Sequence, residues 1–226
     1  MKELTALVRT SVGKKLVMAV TGLMLYGFVV IHLIGNLQIY SGQESINHYA
    51  HFLKSKPIIL WGFRLGLIGI FALHIQTAFS LAAANRKAKG EVNYTDPSDN
   101  GSTIASRTMI VSGSVILAFV VFHILHFTMG AIFPDHFQMK DSEGLHDVYG
   151  MVVEGFQIWW VAFFYVISMA LLCFHLSHGL SSLFQSLGFI NAKYTPLIEK
   201  LALVGWVAIF IGNCAIPLSI LLGYVK

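Results

Sequence analysis

"FVVIHLIGN", Phe28–Asn36, returns ninety-one residues later as "FVVFHILHF", Phe119–Phe127. The agreement extends upstream: Val20-Thr21-Gly22 answers Val111-Ser112-Gly113, so a glycine stands ten residues before a histidine, His32 or His123, in both copies. Both copies lie inside apolar runs long enough to cross a bilayer as a helix, which takes roughly 20 residues. Each run therefore reads as a membrane span that carries a histidine in its interior.

The rest of the chain has the same character. Of 226 residues, 56% are apolar and only 12% charged, and the mean hydropathy is +0.70. A water-soluble domain of this size carries about twice that share of charge. Five stretches are long enough to span: about Leu16–Leu37, Ile58–Ala83, Ile104–Ile132, Phe156–Leu183 and Leu197–Val225. The period-2 alternation of a membrane barrel is absent. The expected fold is an all-α integral membrane protein of five transmembrane helices in a single domain over 1–226, four of the helices forming a bundle. The first run is too long for a cleaved signal peptide and already holds the repeated motif, so it counts as a span. Cys173 and Cys214 lie in different spans with no CxxC or CxxCH pattern, and read as small packing residues.

Positive charge sets the expected orientation. Lys2, Arg9, Lys14, Lys15, Arg86, Lys87, Lys89, Arg107, Lys193 and Lys200 fall on one side of the membrane. Lys54, Lys56, Arg64, Lys140 and Lys226 fall on the other. Ten against five puts the N-terminus in the cytoplasm and the C-terminus outside. The net charge of +4 is thus a topology signal and no nucleic-acid footprint. Of the outer loops, Gln38–Pro57 has the pattern of a short amphipathic helix around Ile46, Tyr49, Phe52 and Leu53. Phe133–Val153 holds Asp135, Asp141, Glu143 and Asp147, read as a solvated acidic stretch. Gly90–Gly101, "GEVNYTDPSDNG", is a turn-rich connection on the cytoplasmic side. No segment could form a separate soluble domain.

Six of the ten histidines fall in the spans: His32, His74, His123, His126, His175 and His178. An imidazole inside a bilayer is costly and normally faces the bundle interior with a partner. Counting from the flanking basic residues at ~1.5 Å per residue, His32 and His123 lie roughly 25 Å above the cytoplasmic anchors. His74 and His175, on spans that run the opposite way, lie roughly 15–18 Å above them. Two histidines at one depth on different helices are what a bis-imidazole haem needs, and two such levels imply two haems. His126 and His178 each follow a proposed ligand by three residues, on nearly the same face, so depth alone does not exclude them. The repeat favours His123 and His175, since His32 and His74 have no second histidine beside them. "LHIQTAFS" from Leu73 also faintly echoes "FHLSHGLS" from Phe174, which makes spans I–II and III–IV two copies of one hairpin. Gly22 and Gly113 would let a flat macrocycle, or simply a neighbouring helix, come close. The rival metal reading is a zinc, copper or proton transporter. It calls for carboxylates or thiols near the histidines, and no acidic residue lies deep in any span.

Four stretches together resemble the b-type cytochrome anchor subunit of succinate dehydrogenases and fumarate reductases (respiratory complex II), in its dihaem, five-span form. They are "GKKLVMAVTGLMLYGFVVIHLIGNLQIY" from Gly13, "SINHYAHFL" from Ser45, "HIQTAFSLAAANRKAK" from His74 and "FHLSHGLSSLFQSLG" from Phe174. In that family the fourth haem ligand precedes glycines by four and thirteen residues, a pattern met by His175, Gly179 and Gly188 and missed by His178. The resemblance implies His74 and His175 as ligands of a proximal b haem near the cytoplasm, and His32 and His123 as ligands of a distal one. It further implies a flavoprotein partner holding FAD and an iron–sulfur partner on the cytoplasmic face of a bacterial inner membrane, with a quinone, menaquinone in dihaem forms, as electron acceptor or donor. Where some members carry a membrane glutamate two residues before the fourth ligand, this chain has Cys173, and Glu154 is the nearest carboxylate. Polar candidates for a quinone site are Asn36, Gln38, His48, His51 and Arg64 at the outer mouth, and His178 and Ser181 at the inner one. Lys14, Lys15, Arg86 and Lys87 suit lipid headgroups or haem propionates. An anchor for another quinone-linked dehydrogenase, of hydrogenase or formate dehydrogenase type, has the same general features.

Overall fold

The computed structural model describes residues 10–89, 104–189 and 191–226. Five of its helices are long and apolar enough to cross a membrane, so the chain is an all-α, multi-pass membrane protein. In order it forms α1 (Ser11–Asn36), a 3-10 turn (Leu37–Ser41), α2 (Gln43–Lys54) and α3 (Pro57–Lys89). Then come α4 (Ile104–His123) with a π turn (Ile124–Thr128), α5 (Pro134–Phe137), α6 (Val148–Gln157), α7 (Trp159–Ser186) and α8 (Thr195–Leu221). The cytoplasmic connection read at Gly90–Gly101 lies outside the described residues.

Local chemistry sets the helix ends. Thr10 caps α1 by accepting the Gly13 N–H at 3.0 Å, and Asp147 caps α6 by accepting from Gly150 at 2.9 Å. Pro134 and Pro196 stand in the first turns of α5 and α8, where the missing N–H costs nothing. Gly42, at φ 98°, lets the chain reverse from the 3-10 turn into α2.

The helices pack as the repeat predicts. α1 lies on α3 and α4 on α7, giving two hairpins joined chiefly through α1 against α7, while α3 and α4 touch only sparsely. The fifth span, α8, packs along α7 and also meets α1. Gly212 makes room there for Leu33, since a Cβ at 212 would stand 2.8 Å from Leu33 Cδ2. The core is formed by Val161, Ala162, Tyr165 and Met169 of α7 with Phe119, Phe156, Cys214, Ile216 and Ile220. Cys173 and Cys214 are buried and unpaired, Cys173 against Leu33 and Ile209, in keeping with their reading as packing residues. The exposed residues Ile58, Phe63, Leu65 and Ile68 of α3 present an apolar surface suited to lipid.

Several boundaries depart from the hydropathy reading: α1 starts at Ser11, five residues early, and α3 runs on past Ala83 to Lys89. The third span stops at Thr128, where the π turn closes with Met129 N–H on Ile124 O at 2.9 Å and Gly130 follows at φ 64°. The fourth starts at Trp159, because Ile158 is extended (φ −74°, ψ 104°) and separates it from α6. Phe156, read as the start of that span, belongs to α6 and to the core. The fifth helix ends at Leu221, ahead of Gly223 at φ 76°.

α2, α5 and α6 form a cap over one end of the bundle. α2 is the helix expected there, but its buried face is Ile46 and Asn47, while Phe52 and Leu53 are exposed. Asn47, 1% exposed, explains the difference. It donates to Asp141 and Asp147, both at 3.0 Å, and accepts the Tyr149 N–H at 3.0 Å. Gln43 adds a hydrogen bond to Asp147 at 2.9 Å. Asp147 is therefore a buried tie between the two loops, not part of a solvated stretch as its composition implies. Burial alone would push its carboxyl up. The hydrogen bonds from Gly150, Asn47 and Gln43, with His146 nearby, outweigh that and hold it below the usual carboxylate range. Glu154 is exposed.

Candidate functional site

The closest correspondence between the two hairpins is found at His74 and His175. His74 Nδ1 lies 3.0 Å from Thr21 Oγ1 across the α1–α3 contact. His175 Nδ1 lies 3.0 Å from Ser112 Oγ across the α4–α7 contact. Thr21 and Ser112 are the matching residues of the two repeats, and both are buried.

Each hydroxyl also has a backbone carbonyl to which it can donate: Thr21 Oγ1 lies 2.7 Å from Val17 O and 3.2 Å from Met18 O, and Ser112 Oγ lies 3.1 Å from Met109 O. With the hydroxyl hydrogen turned to Nδ1, the ring proton sits on Nε2; with it on the carbonyl, the oxygen accepts from Nδ1–H and Nε2 keeps its lone pair. A histidine that ligates a metal through Nε2 needs this second tautomer, and a partner on Nδ1 is the usual way to hold it.

Glycines flank both rings. A Cβ on Gly22 would stand 3.4 Å from His74 Cε1, and one on Gly113 would stand 3.5 Å from His175 Cε1. Those are ordinary van der Waals distances, so protein packing alone does not require glycine at either position. What the glycines leave is an open strip beside each imidazole, again in register between the repeats.

The second pair meets directly. The rings of His32 and His123 have centroids 5.7 Å apart at an interplanar angle of 90°. His32 stacks on Phe28, with centroids 5.3 Å apart. His123 Nδ1 lies 3.3 Å from the Tyr165 hydroxyl. The same hydroxyl lies 3.1 Å from Nδ1 of His126, whose imidazole is 2% exposed.

Among the described residues no three His, Cys, Asp or Glu side chains gather as a metal cluster. A pair of imidazoles cannot by itself complete the tetrahedral or octahedral shell of a bare cation. It suits a metal whose in-plane positions are already filled by a macrocycle. His178 sits near His175 but on the next turn, and Ser181 donates back to Ser177 O at 3.3 Å within α7.

The candidates at the cap separate into groups. His48 and His51 line one open pocket with Phe52, Ser55, Glu143 and Leu145. His48 Nε2 stands 3.2 Å from Glu143 across its mouth. Asn36 ends α1, and Gln38 in the turn beyond accepts from Ser45 at 3.3 Å. Arg64 sits within α3 over the Trp61 ring, 5.2 Å from its centroid, and does not line that pocket. At the opposite end Lys15, Arg86 and Lys87 are exposed.

Sequence reasoning singled out the four histidines but passed over Thr21, Ser112 and Tyr165. The hydroxyls were legible in the repeat, since Thr and Ser share one register. Tyr165 carried a weaker signal, a phenol at mid-span that has to find a partner. Compared with known protein families, curated proteins and solved structures, the chain matches none of them.

Proposed function

We propose that this chain is a dihaem cytochrome b membrane anchor that moves electrons between an iron–sulfur partner subunit and a quinone. The carrying observation is the duplicated arrangement in which a buried hydroxyl, Thr21 on α1 or Ser112 on α4, lies 3.0 Å from Nδ1 of His74 or His175, with a glycine of the same repeat beside Cε1 of the ring. His74 and His175 would hold the proximal haem, and His32 and His123 the distal one. Bound there, the two haems supply one-electron transfer across the bilayer. The chain's own residues fix the ligand tautomers, exclude water from the ligand rings through the surrounding apolar core, and keep the two pairs on separate levels.

The sequence motifs support succinate:quinone oxidoreductase as the parent complex. Its flavoprotein subunit with FAD interconverts succinate and fumarate, and its iron–sulfur subunit docks on the cytoplasmic side, where the basic residues place the N-terminus. The C-terminus then faces outward from a bacterial inner membrane. Menaquinone is the quinone we expect, bound at the cap near His48 and His51. The transporter reading is less well supported, because it calls for carboxylates near the histidines and no acidic residue lies deep in any span.

The test is haem stoichiometry in the purified complex, by reduced-minus-oxidised difference spectra, for wild type and for alanine at each of the six span histidines. Two haems per chain, with losses at positions 32, 74, 123 and 175 only, bears the proposal out. A folded chain that takes up no haem sinks it. Identification of the co-purifying subunits separates succinate dehydrogenase from hydrogenase and formate dehydrogenase anchors.

A further inference from the structure

His126 is the most deeply buried of the span histidines and has no ligand role in this reading. It rides on the π turn after α4, a backbone irregularity often found at functional sites. Its ring stacks on Phe127 with centroids 3.8 Å apart. Its Nε2 is buried, has no hydrogen-bond partner, and faces Gly155, where an added Cβ would come within 3.0 Å. Packed in this way, Nε2 is closed to a metal. Its Nδ1 is held on Tyr165, whose hydroxyl is shared with His123.

A phenol has one hydrogen to donate, so there are two arrangements of His123–Tyr165–His126 in which Tyr165 O–H donates to one of the two rings. In one, Tyr165 O–H donates to His123 Nδ1, and His123 must then carry its proton on Nε2, where it cannot ligate. In the other, His123 Nδ1–H donates to Tyr165, and Tyr165 O–H donates to His126 Nδ1. Only the second leaves a lone pair on His123 Nε2. His126 selects it by offering Tyr165 an acceptor away from His123, at 3.1 Å against 3.3 Å.

We propose that Tyr165 and His126 are positioning residues for the distal site: His126 Nδ1 accepts the hydrogen bond of the Tyr165 O–H and so commits the phenol oxygen to accept from His123. The proposal rests on the dihaem reading. It gives the outer level, by another route, the ligand polarity that Thr21 and Ser112 can give the inner level. A hydrogen bond donated by Nδ1–H makes the imidazole a stronger electron donor to iron and favours the ferric state. Loss of that bond therefore raises the midpoint potential.

The experiment uses the purified complex and reads haem count, the midpoint potential of each haem, and the low-spin EPR signal of each, which reports the orientation of the axial rings. Tyr165→Phe keeps the ring that packs against Phe119 and Phe156 and removes only the hydroxyl. His126→Leu removes the acceptor, and His126→Asn restores one near the Nδ1 position. The expected result is two haems in every variant, with an upward shift of the distal potential in Tyr165→Phe and a smaller one in His126→Leu. His126→Asn returns it towards wild type, the distal EPR signal changes in step, and the proximal haem is unmoved. Unchanged potentials and EPR in Tyr165→Phe and His126→Leu overturn the proposal. So does loss of a haem in both His126 variants with none in Tyr165→Phe, which would make His126 a ligand. Fewer than two haems in wild type defeats the dihaem reading first, and the proposal with it.

Discussion

Thr21→Val is the most informative single change in this chain. It removes the hydroxyl that holds His74 Nδ1 at 3.0 Å and keeps the shape of the side chain. Thr21 is buried, so water does not readily replace the lost acceptor. A buried donor left unpaired costs about 1–3 kcal/mol, which is roughly a 5- to 150-fold loss in affinity for whatever the ring ligates. That range overlaps the 10–100-fold loss typical when the outer partner of a metal-bound histidine is removed. Ser112→Ala should cost a similar amount through His175, and both losses should fall on the same haem. Thr77→Val is the control: its buried hydroxyl bonds only Leu73 O, at 2.7 Å, on the same helix as His74. The assay is the rate of haem transfer to a scavenging apoprotein, followed separately for the two haems by redox-resolved spectra. Equal rates for Thr21→Val and Thr77→Val would refute the tautomer argument. Faster loss of the distal haem would refute the pairing of His74 with His175.

Alanine at Gly22 or Gly113 should leave the haem-free chain no less thermally stable, because the new Cβ meets only ordinary contacts. Haem content should fall in both variants, by the same spectra, if a flat ring shares the strip beside the histidine. His178→Ala should retain two haems, since His178 occupies neither pair; loss of one would reopen the choice between His175 and His178. At the cap, the Asp147 carboxyl is held below its usual range. Its stabilising effect is therefore complete above the unfolded value of about 3.9 and fades as pH falls through the lower folded value. Thermal unfolding in detergent should accordingly be flat from neutrality to about pH 5 and drop below about pH 4. Asp147→Asn should lower the unfolding temperature at pH 7 and remove part of that acid dependence.

How much of this was legible in the sequence depended on the range of the interactions involved. Spans are decided by some twenty consecutive residues, so all five were found, and the repeat announced which helices would form hairpins. Helix ends are decided by single contacts that hydropathy averages away. The stop at Thr128 depends on a π turn and Gly130, and the start at Trp159 on an extended Ile158. Composition misread Asp147 for a similar reason: its partners Gln43 and Asn47 lie about a hundred residues away, on another loop. A buried polar cluster formed from two loops has no periodicity to betray it.

The motif written twice pointed to His32 and His123, whose rings do meet in the structure, with centroids 5.7 Å apart. What surrounds the histidines was legible only where the duplication survived. At the inner level the repeat still specifies a hydroxyl, Thr21 or Ser112, for each ligand. At the outer level the copies have diverged. His32 keeps Phe28 stacked on its ring, whereas His123 has recruited Tyr165, and with it His126, from residues that the first copy lacks. The two histidine pairs therefore have different surroundings although the motif is written twice. Under the dihaem proposal a symmetric duplication would give two haems with closely similar surroundings, and this divergence would separate them. Thr21 and Ser112 on one side and Tyr165 on the other can each be altered without touching the other, so their separate contributions would be measured one at a time.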